Sequence, residues 1–500
     1  MLRPATAQDL LADFEQKVTT FTLDNGLTFV VVERPEAPVV SMYTYADVGS
    51  VDEVKGITGI AHVFEHMAFK GTDTVGTLDI EAERAALAAE DAAYDALRKE
   101  RQKGELANPE RIAELTDAFN AATEATKAFV KPNEFDEIVT RAGGTGMNAT
   151  TSYDATQYFY SLPANKLELW FSLESDRFLN PVLREFYVER DVVKEERRMR
   201  TDSNPVGRLV EEFLSTAFKA HPYGEPTVGH MSDLDSMTRA EAQAFFEKYY
   251  VPSNLTIALV GAVDPDNAKQ LAETYFGRLP AAPKPEPVET IEPEQIGERR
   301  VIIREQSQPF VLLGYHKGSI FSKDDAVFDM LASILGTGRT SRIYKSIVEE
   351  KQLALQAGAF NNFPGNKYPS LMAFFAVPNQ GQSPEDVEAA IYEEIERIQN
   401  DGVTEEELTR AKTRARANLV RQLGSNTGLA SMMSMHQALF GDWREVFYSL
   451  DRLDAVTAAD VQRVANETFQ PNNRTVALIV TETPDTVSVQ AEQDAADKTR

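Results

Sequence analysis

Apolar and polar positions alternate at Phe21-Thr22-Leu23, and after Asp24-Asn25-Gly26 the chain resumes as Leu27-Thr28-Phe29-Val30-Val31-Val32, rich in β-branched residues. Asn25-Gly26 supplies the positive-φ positions of a tight turn, so the two runs predict a hairpin. Val39 to Tyr45, set off by Pro35 and Pro38, predicts a further strand. From Asp79 to Lys103 the pattern shifts to Ala, Glu, Leu, Arg and Lys, strong helix formers. Gly104 and Asn108-Pro109 break that helix, and Glu110 to Lys131 resumes it. The expectation is a helical hairpin over about residues 79–131. Beyond Gly143-Gly144, the run Met147-Asn148-Ala149-Thr150-Thr151 reads as a short strand.

The chain also repeats itself. Residues 237–260 align without a gap on 456–479, with Thr, Ala, Gln, Pro, Asn, Thr, Ala and Leu recurring in register. Each copy reads as a helix, a turn carrying Pro and Asn, and a buried strand. Two homologous α+β domains follow, each a mainly antiparallel sheet packed with helices. The expected organisation is a first domain over 1–278, a linker over 279–298, a second domain over 299–482 and a polar, disordered tail over 483–500. Five prolines between Leu279 and Pro293 suit a semi-rigid linker.

Composition narrows the function. Five hundred residues exceed what one hydrophobic core organises. A formal charge of -27 argues against nucleic acid as a partner, because phosphate recognition depends on clustered Lys and Arg. No apolar run approaches the roughly 18 to 20 residues of a membrane span. The first residues lack a basic segment followed by an apolar one, so the protein is expected in the cytoplasm as written, or in the periplasm if a leader has been removed. With no cysteine, disulfides and a thiol nucleophile are excluded, and any zinc must be held by His and carboxylate.

One stretch carries such a set: His62-Val63-Phe64-Glu65-His66. On a helix His62 and His66 lie one turn apart on one face, and Glu65 points to the same side. Two imidazoles so spaced reach one Zn²⁺, leaving room for a third protein ligand and a water. Zinc lowers the pKa of that water to about 7, and a carboxylate one turn away takes its proton as it attacks a carbonyl. Glu65 would be that base, in the order known as the inverzincin pattern. The bland alternative is two histidines on an ordinary helix. A second charged run, Tyr187 to Met199, places Glu189 and Glu196 two turns apart on one helix face, which fits either a ligand pair or a solvated face. His316 and His436 are isolated, and Gly336 to Thr340 lacks the Lys-Ser/Thr ending of a phosphate loop.

Together "HVFEH" and "ERDVVKEERRMR" resemble the pitrilysin/insulinase family of zinc peptidases, which includes the mitochondrial processing peptidases. The stretches "GTGMNATTSYDATQYFYSLP", "HPYGEPTVG" from His221 and "NLTIALVGAVD" from Asn254 agree, and the resemblance spans roughly residues 20 to 480. It implies that Glu196 is the third zinc ligand and Glu189 a supporting carboxylate. It also implies that the strand at Asn148 and Ala149 lies at a sheet edge beside the zinc, where substrate adds as an extra strand. The interval between the histidines and the glutamates is longer here than is usual in the family.

The resulting expectation is a zinc-dependent endopeptidase acting on peptides or protein precursors. The rival is a non-catalytic structural or assembly subunit of the same fold. Family members carry an Arg and a Tyr seven residues apart in the C-terminal part; at the matching positions this chain has Val348 and Leu355, and Arg342 and Tyr344 are only two apart. The resemblance therefore implies the zinc-bearing subunit of a two-chain enzyme, partnered by a homologous chain lacking HxxEH that supplies the Arg/Tyr pair. A homodimer is the alternative.

Overall fold

The computed structural model describes residues 7–482, so the tail expected at 483–500 lies outside the described residues. Within them the chain forms two compact units: 7–197, 226–288 and 421–447 make the first, and 198–225, 289–420 and 448–482 the second. Neither is continuous in sequence, unlike the boundaries drawn at 278 and 299. The helix Pro205–Ala217 buries Leu209, Phe213, Leu214 and Ala217 under the second sheet. Gly314 makes room there, since a Cβ on it would stand 2.6 Å from the Phe213 ring. In return the helix Asn426–Phe440 packs Leu429, Ala430 and Met433 on the first sheet. Sequence order does not reveal which sheet an amphipathic helix covers, because either sheet offers an apolar face.

The first sheet contains β1 (Val18–Thr22), β2 (Thr28–Glu33), β3 (Val39–Ala46), β4 (Thr145–Thr151), β5 (Thr156–Pro163) and β6 (Leu255–Gly261), in the order β1-β2-β6-β3-β5-β4. The second contains β7 (Arg299–Glu305), β8 (Phe310–Lys317), β9 (Ala354–Phe363), β10 (Ser370–Pro378) and β11 (Arg474–Thr481), in the order β7-β11-β8-β10-β9. All pairs are antiparallel except β2/β6 and β7/β11. The two topologies match strand for strand once β1 is set aside, and the repeat is the reason. Its helices, Arg239–Tyr249 and Ala458–Thr468, both open with a capping box, Thr238/Glu241 and Thr457/Asp460. Its recurrent asparagines do the same work in both copies. Asn254 donates to the Tyr249 and Asp47 carbonyls, and Asn473 to the Thr468 and His316 carbonyls, tying helix end, central strand and neighbouring strand together.

The predicted hairpin is β1/β2, with Phe21 opposite Phe29. Its turn differs from a two-residue one. Gly26 alone takes positive φ (97°); its N–H donates to the Leu23 carbonyl and the Leu23 N–H donates to the Leu27 carbonyl. This is a three-residue loop closed by a left-handed glycine. Asn25 is held out of that conformation by its side chain, which donates to the Phe276 and Leu279 carbonyls.

The helical hairpin comprises Ile80–Arg101, capped by Asp79, and Pro109–Thr126, capped by Asn108. Its first helix is a wall of the core. Leu87, Tyr94 and Leu97 are buried on one face together with Glu83 and Glu90, and each of the two carboxylates is matched by an arginine, Arg184 and Arg239 respectively. Among the described residues no helix is long and apolar enough to cross a membrane.

Candidate metal centre

The HVFEH run lies on the helix Ile60–Met67, as the spacing predicts. Gly59, at φ 89°, opens it, and no side chain fits there: a Cβ would meet the Val228 carbonyl at 2.6 Å. Ile60, Ala61, Val63, Phe64 and Met67 are buried, with the Phe64 ring against Phe246 and Tyr250 at 5.1 and 4.6 Å. That packing leaves His62 and His66 turned to the helix Phe186–Arg197, which carries Glu189 and Glu196.

His62, His66 and Glu196 each offer a ligand atom within 4.8 Å of the others. Nε2 of His62 is 3.4 Å from Oε2 of Glu196, and Nε2 of His66 is 3.8 Å from Oε1. Tetrahedral zinc with ligands at about 2.0–2.1 Å has ligand atoms about 3.3 Å apart. The donor set, two imidazoles and one carboxylate, and this spacing fit that ion. The other ring nitrogen of His66, Nδ1, faces Oε2 of Glu189 at 3.2 Å, and Lys70 Nζ lies 2.6 Å from Oε1 of the same carboxylate. Burial pushes the His66 pKa down, yet the Glu189 and Glu196 carboxylates outweigh it and hold His66 above its ordinary value. Burial raises the Glu189 carboxyl, but hydrogen bonds from His66 and Lys70 bring it below the ordinary range. Glu65 lies on the same helix, partly exposed.

Glu53 was not singled out by sequence. Buried, it accepts the Gly59 and Ala61 N–H groups at 2.8 Å each, so its carboxylate closes the N-terminus of the histidine helix. Burial drives its pKa well up against those two bonds. Nothing in an isolated Asp-Glu pair signals this role, because the partners are backbone groups six and eight residues on.

β4 is an edge strand, paired to β5 only, and it packs beside the histidine helix. Asn148 is exposed and Ala149 buried. In the second unit, Val348 packs on that unit's core and Leu355 is exposed near the start of β9. Arg342 is occupied by a two-pronged pair with Glu407, at 2.7 and 2.9 Å. His316 and His436 bond main-chain carbonyls, of Ala217 and Met432. Gly336 serves packing, since a Cβ there would stand 1.8 Å from the Ala359 nitrogen.

Comparison with known proteins bears on this arrangement. The family model described as Insulinase (Peptidase family M16) matches residues 28–99 and 118–230, and that described as Peptidase M16 inactive domain matches 236–415. The chain is similar to the zinc protease PqqE of Helicobacter pylori, 28% identical over 473 residues and 93% of each chain. It is similar to an uncharacterised zinc protease of Mycobacterium leprae, 26% identical over 452 residues, 89% of this chain and 88% of the other. Among solved structures, a protease from Helicobacter pylori matches with TM-score 0.77 and 28% identity, covering 93% of this chain and 99% of that one. A peptidase M16 inactive domain from Pseudomonas fluorescens shares the fold, with TM-score 0.72 at 16% identity over 93% of this chain and 99% of that one. Within the helical hairpin the first family model leaves residues 100–117 unmatched, the end of its first helix, the turn and the first half of its second.

Proposed function

This chain belongs to the insulinase family of zinc peptidases (peptidase family M16), and from that premise we propose that it is a zinc-dependent endopeptidase. The observation that carries the reading is the convergence of His62, His66 and Glu196 from two helices, with Nδ1 of His66 on Glu189. In this reading those three residues hold the ion, and Glu189 fixes the tautomer and orientation of His66. Zinc supplies Lewis acidity and a water acidic enough to give up its proton near neutral pH. With the ion bound, Glu65 would be the base that takes a proton from water adding to the peptide carbonyl and the acid that returns it to the amine nitrogen as the C–N bond breaks. β4 receives the substrate backbone as an added strand alongside Asn148 and Ala149. The exposed edge of β4 beside the histidine helix supports this.

The chain is, in this reading, the catalytic subunit of a two-chain enzyme. Val348 and Leu355 cannot donate a hydrogen bond to a substrate carbonyl, and a homologous partner would supply the Arg and Tyr. A second reading, a subunit without catalysis, is favoured by the match of residues 236–415 to the model described as an inactive domain. Glu65→Gln separates the two. In an active peptidase the variant keeps its zinc and loses about 10²- to 10⁴-fold in turnover, the usual worth of a general base. Cleavage equal to the parent's, measured on a peptide mixture by mass spectrometry, would remove Glu65 from the chemistry; no cleavage by the parent, with or without a partner, would favour the inactive subunit.

A further inference from the structure

Lys70 stands four residues beyond His66, where the chain leaves the histidine helix. Its ammonium lies 2.6 Å from Oε1 of Glu189 and 2.9 Å from Oε2 of Glu185. All three side chains are less than one-quarter exposed, at 22%, 14% and 24% in the order Lys70, Glu189, Glu185. Both the lysine and its second anchor are held firmly. The fully buried Arg184 donates to the Lys70, Thr72 and Val75 carbonyls and pairs with the buried Glu83 of the helical hairpin. The loop wraps Arg184 so closely that Gly71 and Gly76 have no room for a side chain: a Cβ would meet the Val75 carbonyl at 2.2 Å and the Arg184 guanidinium at 2.8 Å respectively. Glu185 takes φ 58°, a left-handed conformation uncommon outside glycine, and does so at the residue that reaches Lys70. An outlier maintained at this point motivates a functional reading of the contact.

We propose that Lys70 is a positioning residue for the metal centre. Pinned by Glu185, it fixes the Glu189 carboxylate, which holds His66 with Nε2 toward Glu196. The two helices that carry the metal donors are thereby locked in register at the point where the histidine helix ends. This inference rests on the zinc reading above, and it extends the line of acid and base outward from His66 through Glu189 to Lys70 and Glu185. A bare ion pair at the surface would contribute little. A partly buried lysine that fixes a carboxylate bound to a ligand histidine acts instead on metal affinity, where such outer residues are typically worth about 10- to 100-fold.

The test is the zinc dissociation constant of the full chain, measured by competition with a chromophoric chelator after circular dichroism has established that each variant is folded. Lys70→Met weakens zinc by about 10- to 100-fold, Lys70→Arg restores most of the loss, and Lys70→Met combined with Glu189→Gln is no weaker than Glu189→Gln alone, because both act through one carboxylate. Parent-like affinity in Lys70→Met, or losses that multiply in the double variant, would overturn the proposal. Should Lys70→Met not fold, Glu185→Gln decides: a several-fold weaker site supports the proposal, and an unchanged one overturns it. A parent that binds no zinc, or that binds it equally after Glu196→Gln, would overturn the zinc reading itself.

Discussion

His66 has both ring nitrogens engaged, one toward Glu196 and the other on Glu189, so its orientation is fixed from two sides. Helical spacing puts His62 and His66 on one face of their helix and Glu189 and Glu196 on one face of another, while the expectation that the two faces meet came from the family resemblance and not from spacing. Glu53, Lys70 and Arg184 were not legible. Each acts on backbone groups or on another acid brought close by the fold, and no local pattern announces such a partner. His221 is a further case. No local pattern marks it, yet its buried ring accepts the Tyr223 N–H and caps a short turn. Burial depresses its pKa to about 4 from an ordinary 6.5, against the opposing pull of Glu292. The unfolded chain therefore binds a proton more readily, and the stability present above about pH 6.5 is lost as pH falls toward 4. Asparagine accepts the same N–H but does not titrate, so His221→Asn should show a smaller fall in melting temperature between pH 7 and pH 5 than the parent. Parallel falls in the two proteins would show that His221 does not contribute to acid sensitivity.

Among the elements, those with strong periodicity or a repeated pattern matched expectation: the β1/β2 hairpin, β3, β4, both helices of the hairpin, and the helix–strand repeat ending in β6 and β11. The turn between β1 and β2 departed because Asn25 is recruited by carbonyls more than two hundred and fifty residues away, a demand that turn chemistry cannot anticipate. β4 was legible as a strand from its residues, and its place at the sheet edge only through the family resemblance, since nothing local sets a strand's position in a sheet. If the edge receives substrate through main-chain bonds, the backbone of the peptide matters more than the side chain of Asn148. Asn148→Ala should change kcat/KM by less than a few-fold. A substrate N-methylated at one strand-pairing amide should lose about 2- to 10-fold for the hydrogen bond removed, chiefly in KM. Full cleavage of every N-methylated substrate in a positional scan would argue against strand addition.

On the scale of the whole molecule, the repeat at residues 237–260 and 456–479 foretold two related sheets, and both topologies bear that out. The exchange of the helices Pro205–Ala217 and Asn426–Phe440 between units was hidden, since an amphipathic helix does not name the sheet it covers. The two-chain proposal rests on Val348 and Leu355 standing where the family resemblance would place Arg and Tyr. Adding a homologous partner that lacks HxxEH but carries that pair should raise peptide turnover about 10²- to 10³-fold, the usual worth of a lost oxyanion donor. Equal turnover with and without the partner would favour a self-sufficient homodimer. The central claim, that two histidines and Glu196 hold one zinc, is tested most directly by metal content per folded chain after dialysis against trace zinc. The account predicts one zinc in the parent and in Glu65→Gln and a loss of it in Glu196→Gln; a Glu196→Gln protein that is folded and still fully loaded would contradict it.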